Sequence, residues 1–180
     1  MTTTPDDKGD ALPTGDLPAG DSPTGDLPAG DWPDISGRLE AGRHVLALRV
    51  YYEDTDFTGL VYHAAYLKFA ERGRSDFLRL CGIHHRALQA GEHGDPLAFA
   101  VRRMEIDFLA PARIDDLLEV TTRLEEARGA RIVLAQEVRR GGAALFTARV
   151  TVAVISPDGR PRRLPEALAA RLSAADTSAS

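Results

Sequence analysis

Residues 49–67 read Arg49-Val-Tyr-Tyr-Glu-Asp-Thr-Asp-Phe-Thr-Gly-Leu-Val-Tyr-His-Ala-Ala-Tyr-Leu67. This stretch runs from a predicted strand, through a short acidic loop that contains glycine, into a predicted helix. It places Asp56 seven residues before His63, where the helix is expected to begin. Helix starts expose unpaired backbone N–H groups and the positive end of the helix dipole. The stretch therefore predicts a carboxylate, an imidazole and a set of oriented amides at one place in the fold.

The segments on either side of this stretch have the spacing of regular elements. Apolar residues alternate from Leu46 to Tyr52, which indicates a strand. From Tyr66 to Leu80 they recur every three or four positions, which predicts a helix that Gly82 is expected to end. After a polar connector, residues 84–96, alternation predicts four further strands. These strands are centred on residues 97–109, 118–124, 132–138 and 146–154.

The order of these elements predicts an α+β fold. Short turns between the last four strands require neighbouring antiparallel pairing. One long helix and one five-stranded, mostly antiparallel sheet must then bury their apolar faces on each other. A single sheet leaves free edges, so we expect a homo-oligomer in which two sheets join edge to edge.

Composition divides the chain into a tail and a domain. Gly-Asp recurs at positions 9, 15, 20, 25 and 30, and the last four copies keep a period of five with a proline in each. Such a segment cannot bury enough apolar surface to offset its ordering entropy, so residues 1–40 are expected to be disordered. Residues 41–165 are assigned to one packed domain and residues 166–180 to a C-terminal tail, and residues 165–172 could form a short helix.

Bulk properties exclude several classes of function. The chain has 180 residues, of which 43% are apolar, and a formal net charge of −5, so nucleic-acid binding is not expected. No apolar run approaches the ~20 residues of a membrane span, and the first residues lack the features of a secretory signal. The one cysteine, Cys81, cannot form an intrachain disulfide and fits a reducing compartment, so a cytoplasmic location is expected.

The stretch around Asp56 resembles the signature of a known enzyme family. The pattern Tyr51-Tyr-Glu-Asp-Thr-Asp-x-x-Gly-Leu-Val-Tyr-His63, followed by Tyr66 and Glu71-Arg72, is similar to that of the hotdog-fold acyl-CoA thioesterases. Within them it resembles the branch that includes 4-hydroxybenzoyl-CoA thioesterase and the Tol–Pal-associated acyl-CoA thioesterases. The segment from Met104 to Arg113 is also similar, and the resemblance covers about residues 43–165.

The resemblance implies a hotdog fold, thioester hydrolysis without a cofactor or metal, and a homodimer or homotetramer. It implies that Asp56 is the catalytic carboxylate, that His63 lies in the same site, and that amides at the helix start hold the thioester carbonyl. Phe57 stands where many members carry a small residue, and Ala65 where many carry asparagine. These two departures leave the acyl preference open.

The residues suit the chemistry that the resemblance implies. Asp56 would attack the carbonyl directly or activate a water as general base, and the sequence does not choose between these roles. Amides near Tyr62 and Ala64 would stabilise the developing oxyanion. Gly59 would let the loop backbone approach closely. His63 would orient water or hydrogen-bond the carbonyl region.

Two other groups of residues could bind ligands. Arg102 and Arg103 are adjacent, so in a strand they face opposite ways, and one of them could meet the phosphates of CoA. The alternative is a solvated sheet edge. The histidines that follow the helix lack the spacing of metal ligands, so no metal site is predicted.

Three functions remain open from the sequence. The leading one is hydrolysis of acyl-CoA or acyl-carrier-protein thioesters to free acid and thiol. The second is a hotdog-fold dehydratase, against which the order of Asp56 and His63 argues. The third is a non-catalytic acyl-thioester binding or scaffold protein, in which Asp56 is only a turn or capping residue.

Overall fold

The computed structural model describes residues 35–177, so nearly all of the predicted disordered tail, residues 1–40, lies outside the described residues. The described chain forms six strands and three α-helices. In chain order they are β1 (Arg38–Glu40), β2 (Arg43–Arg49), α1 (His63–Leu80), α2 (His85–Ala90), β3 (Ala98–Phe108), β4 (Leu117–Arg128), β5 (Arg131–Arg140), β6 (Ala143–Ile155) and α3 (Glu166–Thr177), with a 3₁₀ turn at Tyr52–Asp54.

The six strands form one antiparallel sheet in the order β1-β2-β4-β5-β6-β3. The hairpin between β5 and β6 turns at Gly141 and Gly142, which both have positive φ. Alternate residues on the inner face form buried rows, as in the register Val120–Val138–Phe146 across three strands. The period of two in the sequence therefore becomes one apolar face of the sheet.

Helix α1 lies on this apolar face, against β2, β4 and β5. Phe69 and Phe77 are fully buried beneath it. Gly73 permits the close approach, because a Cβ there would lie 2.8 Å from Val120 Cγ1. The predicted α+β arrangement, a long helix on an antiparallel sheet, is confirmed.

A buried polar cluster joins α1 to the sheet beside Gly73. Gln136 on β5 donates to the Ala70 carbonyl oxygen (2.9 Å) and to Thr122 Oγ1 (2.8 Å). Arg74 donates to Gln136 Oε1 (2.8 Å). Every polar atom named here therefore has a partner inside the interface, which is what burial of polar groups requires.

Three features differ from the sequence prediction. The sheet has six strands instead of five. The extra strand, β1, lies in the segment assigned to the tail and pairs with β2. Helix α2 lies within the predicted polar connector. Helix α3 occupies most of the segment assigned to a C-terminal tail, and its Leu168 and Leu172 are buried in the main core.

The two edges of the sheet differ in length. Strand β1 has three residues, whereas β3 has eleven and pairs only with β6. Val101, Ile106 and Phe108 on β3 are apolar and at least 36% exposed. A long apolar edge is a template for pairing with another strand.

Two observations bear on the surroundings of the protein. Within residues 35–177, no helix is long and apolar enough to cross a membrane. Cys81 caps the C-terminal end of α1 and is buried, and that burial raises the pKa of its thiol to about 11.

Candidate active site

The loop between β2 and α1 is held by a buried carboxylate, that of Asp54. Asp54 is 4% exposed and its Oδ2 accepts a hydrogen bond from the Tyr51 amide (2.9 Å). The Asp54 carbonyl oxygen accepts one from the Tyr62 amide (2.9 Å). Asp54 thus braces the loop, and it is not among the residues that line the cleft described below.

Asp56 lies at the exposed tip of this loop, in a turn that Thr58 stabilises. Asp56 Oδ1 accepts hydrogen bonds from the Thr58 amide (2.8 Å) and the Thr58 hydroxyl (2.5 Å). The hydroxyl first, and the amide next, lower the pKa of Asp56, because both hydrogen bonds favour the ionised form. The Leu60 backbone amide lowers this pKa further. Asp56 is therefore a carboxylate at neutral pH.

Gly59 closes the same turn. Its amide donates to the Asp56 carbonyl oxygen (3.0 Å), and its φ of 74° lies in the left-handed region that favours glycine. No described atom lies within 4 Å of the position that a Cβ would take. The backbone conformation alone therefore favours glycine at this position, and its close approach to a substrate stays a prediction.

Asp56 and His63 line one open cleft of about 470 Å³. The residues Leu60–His63 and Tyr66 form one wall, and the opposite wall is formed by Phe108 and residues 109–111. The His63 ring lies 4.2 Å from the Tyr62 ring and meets Phe108 edge-on at 6.4 Å. The two residues predicted to be catalytic are therefore brought together in one cleft.

The first turn of α1 begins at His63, which lines this cleft. Tyr62 is the N-cap residue and makes no side-chain cap hydrogen bond. Its amide is taken by Asp54, and the Ala65 amide donates to the Tyr62 carbonyl oxygen (2.8 Å). Among the described residues, the amides of His63 and Ala64 have no partner. Of the amides predicted near Tyr62 and Ala64, those of His63 and Ala64 therefore remain free to donate to a ligand.

Arg102 and Arg103 do not line this cleft. They line a separate cavity of about 340 Å³, together with Arg131 and Arg149, on the opposite face of the sheet from α1. The expectation that they face opposite ways is wrong, because the register shifts between Val101 and Arg103 and the resulting bulge turns both toward one cavity. Arg103 also pairs with Glu105 (2.7 Å).

Three participants were missed from the sequence. The Asp56-x-Thr58 spacing is typical of a side-chain turn and could have identified Thr58. Phe108 and residues 109–111 enter the cleft only because β3 ends beside the start of α1, a contact that no local pattern encodes.

Among the described residues, no group of three or more His, Cys, Asp or Glu side chains is placed to hold a metal.

Comparison with known proteins agrees with this architecture. Residues 58–147 match the family described as the thioesterase superfamily, a segment that includes His63 and begins just after Asp56. The acyl-CoA thioester hydrolase YbgC of Escherichia coli O157:H7 is 41% identical over 125 residues, which are 68% of this chain and 90% of that protein. The acyl-CoA thioesterase YbgC of Haemophilus influenzae is 43% identical over 108 residues, covering 60% of this chain and 77% of that one.

A solved structure shares the fold at similar sequence identity. The probable thioesterase of Bartonella henselae superposes with a TM-score of 0.66 and 50% identity, covering 68% of this chain and 99% of that one. The chain therefore belongs to the thioesterase superfamily and is a hotdog-fold thioester hydrolase.

Proposed function

We propose that the protein hydrolyses acyl-CoA thioesters to a free acid and CoA, with Asp56 as the reacting carboxylate. The observation that carries this proposal is the cleft in which ionised Asp56, His63 and the free amides at the start of α1 meet. The names of the relatives support CoA as the thiol carrier. An acyl carrier protein remains the alternative carrier.

The first-turn amides of α1 would act on the thioester carbonyl oxygen. The amides of His63 and Ala64 donate to this oxygen, aided by the positive end of the helix dipole. Negative charge that develops there in the transition state is stabilised by donors that are already oriented. Tyr62 contributes its ring to the wall of the cleft, while His63 orients water or the carbonyl group.

Asp56 has two possible roles at the carbonyl carbon. As a nucleophile, a carboxylate oxygen attacks, the CoA thiolate leaves, and water then hydrolyses the resulting mixed anhydride. As a general base, it takes a proton from water while the hydroxyl attacks, and the tetrahedral intermediate expels the thiolate. In both routes the thiolate is a good leaving group, so no second acid is required.

Substitution of Asp56 tests its role directly. Asp56→Asn keeps the size of the side chain and removes its charge, so thiol release from acyl-CoA should fall on the order of 10²-fold or more. Glu53→Gln, an exposed carboxylate of the same loop, is the matched control and should retain activity. Turnover that survives Asp56→Asn would remove this residue from the mechanism. Binding of acyl-CoA without any turnover by the wild type would favour a scaffold protein.

Isotope labelling distinguishes the two roles of Asp56. After many turnovers in H₂¹⁸O, the peptide that contains Asp56 is examined by mass spectrometry. Label in the Asp56 carboxylate identifies a covalent anhydride that water opened at the enzyme's carbonyl carbon. Label confined to the acid product is expected for a general base and also for an anhydride that water opens at the acyl carbon, so label in Asp56 is the outcome that decides for the nucleophile.

Arg102 and Arg103 are proposed to contact the phosphates of CoA. Their cavity is lined by four arginines and two glutamates, so it carries a net positive charge suited to phosphate. Charge-neutral Gln at both positions should raise KM for acyl-CoA but leave KM unchanged for the matching acyl-pantetheine, which lacks the nucleotide. An equal effect on both substrates would contradict phosphate contact.

The active unit is proposed to be a homodimer joined through β3. Strand β3 has eleven residues, a free edge and exposed apolar side chains. These features support its antiparallel pairing with β3 of a second chain. We also propose a cytoplasmic location, which is supported by the single reduced cysteine, Cys81.

A further inference from the structure

The wall of the cleft opposite the start of α1 is a short irregular segment, residues 109–113. It connects β3 to the chain before β4, and the amides of Leu109 and Ala110 both donate to the Leu145 carbonyl oxygen (2.8 and 3.1 Å). These bonds tie the segment to the sheet. They do not fix the distance between this segment and the facing wall, which is formed by the end of the loop that carries Asp56 and by the start of α1.

Ala112 bridges the two walls through both its amide and its carbonyl group, beside an antiparallel bridge between Leu60 and Arg113. The Ala112 amide donates to the phenolic oxygen of Tyr66 (2.9 Å), which lies in the first turns of α1. The Ala112 carbonyl oxygen accepts from the Val61 amide (2.9 Å), two residues before α1 begins. Ala112 is fully buried, so water cannot replace either bond without opening the structure.

The position of the Tyr66 oxygen is set by the packing of its ring. The ring is stacked on Phe146 at 5.5 Å, with 17° between the planes, and meets Phe108 edge-on at 5.8 Å. Tyr66 is 3% exposed, and this burial raises the pKa of its hydroxyl. The hydroxyl therefore stays protonated, and it donates in a long hydrogen bond to the Ala110 carbonyl oxygen (3.5 Å) while it accepts from Ala112.

We propose that Tyr66 is a positioning residue of the active site, whose phenolic oxygen sets the separation of the two walls of the cleft. This inference rests on the proposed thioester hydrolysis at Asp56. An acyl group held between residues 109–111 and the start of α1 has its carbonyl carbon placed relative to Asp56 by this separation. A misplacement of about 1 Å at a reacting centre can cost on the order of 10²-fold in rate.

The substitution Tyr66→Phe removes only the oxygen and keeps the three-ring packing with Phe108 and Phe146. We expect kcat to fall by roughly 10- to 100-fold, while KM stays within about threefold, because orientation is lost more than binding. Thr122→Val is the matched control. It removes another fully buried oxygen that accepts a hydrogen bond near α1, from Gln136, away from the cleft. Thr122→Val should lower the melting temperature about as much as Tyr66→Phe does, but it should leave kcat unchanged.

Hydrogen exchange gives a second readout that does not depend on turnover. The Ala112 amide should exchange faster in Tyr66→Phe than in the wild type or in Thr122→Val. Unchanged kcat, or unchanged Ala112 exchange, in Tyr66→Phe would overturn the inference, and so would an equal loss of kcat in both variants.

Failure of the proposed function gives a different pattern. If Asp56→Asn retained full turnover, the proposed function of Asp56 would fall, and the placement of the carbonyl carbon relative to Asp56 would fall with it. If Asp56→Asn were inactive and Tyr66→Phe matched the wild type, only the inference about Tyr66 would fall.

Discussion

The pKa of Asp56 is lowered chiefly by the residue two positions after it, Thr58. Thr58→Val removes the hydroxyl that is the largest cause of the lowered pKa of Asp56 and leaves the backbone amide in place. The pKa of Asp56 should then rise toward its ordinary value. The acid limb of the pH profile of kcat/KM is expected to move to higher pH. Thr55→Val, whose hydroxyl donates to the Tyr52 carbonyl oxygen instead, should leave the profile unchanged.

His44 gives the fold a dependence on pH that is separate from catalysis. It is fully buried, and its Nε2 donates to the Ser36 carbonyl oxygen (2.7 Å), so the ring is the neutral tautomer protonated at Nε2. Its Nδ1 has no partner among the described residues. Burial lowers the pKa of His44, which the Ser36 hydrogen bond and Asp76 partly oppose.

Stability should therefore fall as pH decreases through about 6.5, the ordinary pKa of histidine. Below that pH the unfolded chain binds a proton at His44 that the folded chain resists, and above it both states are neutral. Urea unfolding at pH 7.5 and 5.5 measures the effect. His44→Gln should show a smaller loss between the two pH values than the wild type, whereas exposed His84→Gln should match the wild type.

Asp56 and His63 could be predicted because both belong to one contiguous motif. The orientation of Arg102 could not, because the bulge depends on how β3 pairs with β6, and Arg103 pairs with Thr151, 48 positions later in the sequence. The same limit applies to Tyr66. Its position on a helical apolar stripe predicted burial, but its bond to Ala112 joins residues 46 positions apart.

At the scale of elements, helix α1 depends on a glycine where it crosses β4. Gly73→Ala would improve helix propensity by about 1 kcal/mol. The added Cβ would, however, lie 2.8 Å from Val120 Cγ1 and 3.2 Å from Thr122 Oγ1, and overpacking of this kind costs about 1–3 kcal/mol. We expect a lower melting temperature. A higher melting temperature for Gly73→Ala would show that β4 can move to accommodate the added Cβ without loss of stability.

Helix α3 is expected to contribute to the stability of the domain. Leu172 is fully buried, and Leu172→Ala should lower the free energy of unfolding by about 2–5 kcal/mol. Leu117→Ala, at a leucine that is 63% exposed, should have little effect. Equal effects would mean that residues 166–180 behave as the tail that the sequence suggested.

The four long strands could be predicted, whereas strand β1 and helix α2 could not. Strands β3 to β6 have ten to thirteen residues each, enough for alternation to be recognised. Strand β1 has three residues and α2 has six, which is too few for either period to appear. The first of these also follows a segment rich in glycine and proline, where composition outweighs any local pattern.

At the scale of the whole molecule, the free edge of β3 predicts the oligomeric state. Val101→Lys places a charge on an apolar position of that edge, 48% exposed in one chain, and should convert a dimer into a monomer by light scattering. Leu117→Lys is the control, since it is also apolar and exposed but starts β4 in the interior of the sheet order. A wild-type monomer, or a dimer in both variants, would contradict pairing through β3.

The placement of Cys81 has a practical consequence for enzymology. Hydrolysis of acyl-CoA is followed by reagents that count free thiols, and the enzyme carries one thiol of its own per chain. Because that thiol is buried and has a pKa of about 11, it contributes almost no thiolate, the species that reacts with such reagents. The native enzyme should therefore add almost no signal of its own to such a thiol assay. One additional equivalent of thiol per chain should appear when it unfolds, so the assay for the product also reports loss of the native state.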